Sequence, residues 1–314
     1  MNAIQAAIET FASRLSHVSV TLLVLGIALH LGNQLLRSTA WHATLAAALP
    51  NRRMRRWAVT AAYVAGAGVN AVVPARGGDV ARVVLVSRRA APGCCCVTVA
   101  STLLVETVLD AVVGIWLAAW AVSSGALPHG LSSVRPPGGT AALCALAAVA
   151  ALAATMAAGR VRRRARAALA ELRQGLSILR SPRAYLRGVA APQGAAWAAR
   201  VASTYCFLHA FQIHAGPGQA ALAVLAGSLA TMMPLTPAGV GTQQALLVVV
   251  LSGVASPAAA ISYGLGVQLV ITAVNVAAGG TCAGLLLGAP PWRLRGASDP
   301  VPVPVPLPAV ISGE

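Results

Sequence analysis

From Trp57 to Val73 the chain is apolar enough to enter a bilayer, and it stops at Pro74. Residues 76–89 then carry five charges: Arg76, Asp79, Arg82, Arg88 and Arg89. Backbone can be irregular at membrane depth only where it is buried in protein or lines a wet cavity. Ionisable side chains at that depth are costly and mark a pathway or a site. A segment with five charges cannot return through lipid as an ordinary span. A full crossing would place Arg88 and Arg89 outside and flip every later segment. The nine arginines between Gly159 and Gly188 would then lie outside as well, against the cytoplasmic bias of arginine-rich loops. The consistent solution is a broken hairpin that enters from the cytoplasm, turns at Pro74 and is back by Arg88. A half-helix started by Gly77 and Gly78 puts Arg76, Asp79 and Arg82, spaced three apart, on one face.

Composition agrees with a membrane setting. The 314 residues are 57% apolar and 10% charged, with a mean hydropathy of +0.74, which excludes a soluble globular domain. The longest polar stretch, Gly159 to Arg187, is too short to build a core of its own. All 23 basic residues are arginine and the net charge is +16. Because the arginines cluster beside apolar runs, they point to anionic inner-leaflet lipids rather than to nucleic acid. Cys94, Cys95 and Cys96 are consecutive, no cysteine has metal-ligand spacing, and no cofactor or metal is expected. Glu9 before Arg14, ahead of a long apolar run from Val18, does not resemble a cleaved signal peptide.

Taken in order, residues 1–17 read as an interfacial segment. Val18 to about Leu36 is a first span, with Asn33, Gln34 and Arg37 at its exit. Arg52, Arg53, Arg55 and Arg56 form a cytoplasmic turn. Val97 to Val122 is a full span carrying Glu106 and Asp110, which share a face at i and i+4. Their bland reading is structural, as counter-charges to Arg76 and Arg82. Ser123 to Gly139 is an outside loop, Thr140 to Ala158 returns, and residues 160–187 form a basic amphipathic helix on the inner leaflet. Val189 to Ile213 spans outward with a buried Arg200, near which no partner is evident. Gln219 to Met233 goes in and breaks at Pro234, Pro237, Gly239 and Gly241. Gln243 and Gln244 then open a run to Val254 that is too short to span. Pro257 to Gly288 is the last span, and 290–314 is a Pro-rich tail that reads as disordered. The expected fold is an all-α polytopic integral membrane protein, with residues 18–289 holding about five full spans and two Pro/Gly-broken re-entrant hairpins. The N-terminus is expected outside and the C-terminus in the cytoplasm, in the cell membrane. Two broken elements entering from opposite faces point to a midplane site and an inverted-repeat architecture, although no residue-level repeat relates the halves.

At these motifs the chain resembles the lysylphosphatidylglycerol synthase transmembrane, or flippase-like, family. Pro74-Ala-Arg-Gly-Gly-Asp-Val-Ala-Arg82 is similar to that family's P-x-R-x-G-[DE]-x-x-R segment. Glu106-Thr-Val-Leu-Asp110 resembles its E-R-x-x-D, and Pro237 to Gly241 with Gln243 and Gln244 resembles P-G-G-x-G followed by polar residues. Thr107, Ala238 and Gln244 depart from the usual residues, and the namesake's soluble aminoacyl-transferase domain is missing. The resemblance implies lipid translocation rather than lipid aminoacylation, and no enzyme activity is expected. The substrate would be a phospholipid or polyprenyl-phosphate lipid. Arg76, Asp79, Arg82, Glu106, Asp110 and Arg200 are the expected substrate-binding residues. Pro74, Gly77, Gly78, Pro234, Pro237, Gly239, Gly241, Gln243 and Gln244 are the expected hairpin and gate residues. Transport of a small anion, and a non-catalytic role beside a cell-envelope enzyme, are the alternatives.

Overall fold

The computed structural model describes residues 18–73, 77–90, 94–125, 173–232 and 241–288. Their regular elements are all helical. The longer helices are α1 Val20–Ala48, α2 Arg56–Val72, α3 Gly77–Leu85, α4 Cys96–Ser123, α5 Ala191–Ala210, α6 Pro217–Met232, α7 Thr242–Leu251 and α8 Pro257–Leu287. Of these, α1, α4 and α8 are long and apolar enough to cross a bilayer. The expected span 140–158, the basic stretch up to residue 172 and both termini lie outside the described residues. So do Pro74, Arg76, Pro234, Pro237 and Gly239.

Local chemistry explains several boundaries. The Ser256 hydroxyl accepts from the Ala259 N–H at 3.3 Å, with Pro257 at the first helical position, and Gly288 closes α8 in the left-handed conformation. These are the usual start and stop signals of a helix. The first helix continues well past the expected span. It runs unbroken for 29 residues, roughly 43 Å at the helical rise, through Asn33, Gln34 and Arg37, the residues read from the sequence as the exit of the span. They lie mid-helix, with Asn33 and Gln34 only 8% and 5% exposed. His30, Asn33, Gln34 and Arg37 stand at i, i+3, i+4 and i+7, a single stripe that α1 turns toward its neighbours.

On α4 the polarity runs inside out. Leu104, Val108, Val112 and Trp116 are exposed, whereas Thr98, Ser101, Thr102 and Glu106 are buried. Such a helix is stable only where its outer face meets lipid.

The packing is built on antiparallel pairs. In the α1–α5 pair, the Ser19 N–H donates to the Ala210 carbonyl at 3.0 Å, and the Ser203 hydroxyl donates to the Gly26 carbonyl at 2.7 Å. Farther along, Gly188 stands against Ala43. This register sets position 30 opposite 200 and position 37 opposite 193. Helix α3 folds back along α2, with Gly78 beside Asn70 and Gly66, and Arg82 beside Gly66 and Tyr63. A Cβ on Gly78 would fall on the Gly66 carbonyl oxygen. Small residues here let two backbones approach without side chains between them. The same holds where α2 meets α8: a Cβ on Gly279 would come within 2.8 Å of the Gly68 Cα. Helix α7 pairs with α6 as α3 does with α2, and α6 lies against α4 as α2 lies against α8.

Candidate functional site

Side chains from α1 to α5 converge on Glu106 and Asp110 of α4. The Arg37 guanidinium donates to Glu106 Oε1 from Nη2 at 2.8 Å and from Nε at 3.0 Å. The same Nη2 forms a short bond to Asp110 Oδ2. Tyr63 accepts from Arg37 Nε at 2.9 Å and donates its hydroxyl to Glu106 Oε1 at 3.0 Å. The other oxygen of Asp110, Oδ1, accepts from Gln193 Nε2 and Trp197 Nε1, both at 2.8 Å. Arg37 is therefore clamped between two carboxylates, and the second oxygen of Asp110 is engaged as well, whereas Glu106 Oε2 has no hydrogen-bond partner. A buried ion pair offsets its desolvation cost only where short charge-assisted bonds such as these are made.

Arg82 is held differently. Its Nη1 lies 3.3 Å from Glu106 Oε2 and its Nη2 3.3 Å from Asp79 Oδ1. The contact to Glu106 is an ion pair without hydrogen-bond geometry, and both distances exceed those of Arg37. The guanidinium sits over the rings of Tyr63 at 4.9 Å and Trp41 at 5.3 Å. The Trp41 N–H is anchored by donation to the Thr102 hydroxyl at 2.9 Å. Aromatic faces stabilise a desolvated cation by about 2 kcal/mol or more without using its N–H groups. Arg82 is only 9% exposed, and its Nε has no hydrogen-bond partner. It is a buried cation with donor capacity left.

The half-helix start is partly occupied. The Gly78 N–H donates to Asn70 Oδ1 at 2.8 Å, and Asn70 Nδ2 reaches Asp79 Oδ1 at 3.4 Å. An N–H that the sequence leaves available for an anion after Pro74 is thus capped from α2.

A second polar group lies farther along α1. Gln34 Nε2 donates to Asn275 Oδ1 at 2.7 Å, and His30 Nε2 meets the same oxygen at 2.9 Å. Across the α1–α5 register stands Arg200, whose Nη2 donates to the Ser228 hydroxyl at 3.1 Å and whose guanidinium lies 5.2 Å from the Trp197 ring centroid. No carboxylate lies in ion-pair range of Arg200 among the described residues. Trp197, through its bond to Asp110, connects the two groups.

Of the residues expected at the site, Asp79, Arg82, Glu106 and Asp110 come together, and Arg200 stands apart beyond Trp197. Gly77 and Gly78 open α3. Gly241, at φ +88°, precedes α7, where its N–H donates to Gln244 Oε1 at 2.6 Å. Gln244 in turn donates to Gln268 Oε1 at 2.9 Å, and Gln243 stands beside Gly227. This group joins the charged cluster by no bond among the described residues. Arg76, Pro74, Pro234, Pro237 and Gly239 lie outside them. Arg37, Trp41, Tyr63, Gln193 and Trp197 were not anticipated. The signal that could have found Arg37 was its place on the polar stripe of α1.

Long apolar helices closed around buried charge define a polytopic membrane protein with a polar site inside its bundle. Residues 3–279 match the family model of the lysylphosphatidylglycerol synthase transmembrane region, and the chain belongs to that family. It is a multi-pass membrane protein related to lipid handling. No curated protein and no solved structure matches the chain.

Proposed function

We propose that the protein is a translocase, not an enzyme, that moves a phosphate-bearing phospholipid or polyprenyl-phosphate lipid between leaflets of the cell membrane. The observation that carries this reading is Arg82: nearly dry, balanced loosely by two carboxylates, and holding a donor without a partner. A purely structural arginine would resemble Arg37, whose bonds to both carboxylates are short. A headgroup phosphate supplies the acceptor that Arg82 lacks, and guanidinium geometry suits phosphate.

The helix pairing supports the architecture this function needs. We read α2–α3 and α6–α7 as two re-entrant hairpins entering from opposite faces. Helices α1 to α4 and α5 to α8 then form inverted repeats, with α1 and α5 meeting antiparallel at the pseudo-twofold axis. Such repeats place the substrate near the midplane and open to each side in turn. With the arginine turn at 52–56 in the cytoplasm, the N-terminus is outside and the C-terminus inside.

The test is lipid movement in liposomes containing the purified protein, followed by quenching of a labelled anionic lipid in the outer leaflet. The wild type should accelerate exchange, and Arg82→Gln should abolish it while the protein still folds. If the wild type moves no lipid, yet its loss stalls a neighbouring lipid-modifying enzyme, a scaffold role replaces this reading.

A further inference from the structure

Two close crossings on α2 leave a space between them. Gly68 meets α8, where a Cβ would come within 2.7 Å of the Asn275 carbonyl oxygen, and Gly66 meets α3, where it would come within 2.7 Å of the Gly78 carbonyl oxygen. Helices α8 and α3 thus stand on either side of α2, and the groove between them has a volume of about 580 Å³. Alanine, glycine, valine and leucine alone line it, from Val73 past the end of α2 to Leu85 and Leu287. We propose that this groove holds one acyl chain of an anionic phospholipid, whose headgroup is bound by Arg88 and Arg89. The site lies outside the polar interior and holds whether or not the protein moves lipid.

The size of the groove selects its occupant. The lining side chains offer no donor or acceptor, so a hydrocarbon matches them and a headgroup does not. Along α8 the groove runs from Val276 to Leu287, about 16 Å at the helical rise. That is half of the ~30 Å hydrocarbon core, the depth of one leaflet. Volume over length leaves a cross-section of about 35 Å². A helix about 10 Å across needs roughly 80 Å², so a partner helix or a second copy does not seat in it. One extended chain does.

Charge fixes which end carries the headgroup. Helix α3 continues past Leu85 into a π-helical turn, Val86–Ala90, which carries Arg88 and Arg89. Both are exposed, and neither pairs with a carboxylate among the described residues. They stand about one turn beyond Val84 and Leu85, at the mouth of the groove. An anionic headgroup attached to the buried chain meets them there, as arginines at a membrane surface attract anionic lipid.

The space is open at its middle. Gly280 belongs to the lining, and no atom lies within 4 Å of where its Cβ would stand. Hydrophobic burial does not hold the chain, since bulk lipid is equally apolar. Close packing against three helices and the headgroup contact do. The bound chain fills the flank of α3 that faces α8, and so backs the element that carries Arg82.

The experiment places the full chain in liposomes containing phosphatidylglycerol or phosphatidylcholine with a photoreactive diazirine at mid-chain, and maps the cross-linked peptides by mass spectrometry. Phosphatidylglycerol should label 65–73 and 276–287 more strongly than the exposed Val108 and Val112 of α4. It should also label the groove about tenfold more than phosphatidylcholine, the scale of two arginines meeting one headgroup. Labelling no stronger than on α4 overturns the site and leaves only bulk lipid. Equal labelling by the two lipids overturns the headgroup contact. A groove that neither lipid labels has another occupant, and the proposal fails. Gly280→Leu sends a side chain into the open space. It should fold, because its Cβ meets nothing and leucine favours a helix over glycine, and it should lower groove labelling to the level of α4. Joint replacement Arg88→Gln and Arg89→Gln should leave phosphatidylcholine labelling unchanged and bring the ratio of the two lipids close to one. Unchanged groove labelling in Gly280→Leu overturns the site, and an unchanged ratio in the arginine variant overturns the headgroup contact. Should a variant fail to fold, the two-lipid comparison on the wild type still decides.

Discussion

Arg37 and Arg82 share one carboxylate and are bound to it unequally. Arg37 meets Glu106 at 2.8 Å and Asp110 more closely still, whereas Arg82 meets Glu106 and Asp79 at 3.3 Å. Replacing Arg37 by glutamine leaves two neighbouring carboxylates short of a counter-charge, and breaking a buried pair in this way costs about 3–5 kcal/mol. Thermal unfolding in detergent should show that loss for Arg37→Gln and a smaller one for Arg82→Gln. Equal losses would make Arg82 structural and remove the observation on which the translocase reading stands. Tyr63→Phe tests the cluster with less disruption. It deletes one donor to Glu106 and one acceptor for Arg37, so about 1–3 kcal/mol should be lost. No change in unfolding temperature would mean that the hydroxyl is satisfied elsewhere.

Among the helices, glycine position rather than glycine content governs packing. Gly78 is pressed against Gly66 of the facing helix, while Gly32 on α1 has no atom within 4 Å of where a Cβ would stand. Gly32→Ala should therefore stabilise the protein by about 0.5–1 kcal/mol through helix propensity alone. Gly78→Ala should destabilise by about 1–3 kcal/mol, as overpacking does, because its neighbour is a backbone oxygen that cannot rotate away. It should also push α3 off α2 and carry Arg82 away from Glu106, so lipid movement should fall with stability. Parallel effects of the two substitutions, read from unfolding curves, would contradict the close approach.

Seen whole, the proposed orientation follows from where the arginines stand. Arg52, Arg53, Arg55 and Arg56 lie at one end of α2, and Ser124 follows the far end of α4. In a cysteine-free background, Arg53→Cys should react only with a reagent admitted to the cytoplasmic side, and Ser124→Cys only from outside. Labelling of both from one side would require one fewer or one more crossing between them and would undo the hairpin reading of α2 and α3.

Much of this was legible in the chain itself. Runs of apolar residues ended by Pro, Gly or Arg located α2, α4, α6 and α8 within a few residues, since helix length and stop signals are local properties. The pair Glu106 and Asp110 was visible because four residues is one helical turn. What separates a tight cation from a loose one was not visible. Arg37 lies 69 and 73 residues from its carboxylates, and in sequence it resembles a charge at the end of a span. Its helix continues to Ala48, and antiparallel packing on α4 and α5 brings Glu106, Asp110, Gln193 and Trp197 around it. Periodicity assigns a residue to a face of its own helix, but the partner on the facing helix depends on crossing and register. Those are set by contacts such as Gly26 with Ser203 and Gly66 with Gly78, where atoms distant in sequence must fit together in space.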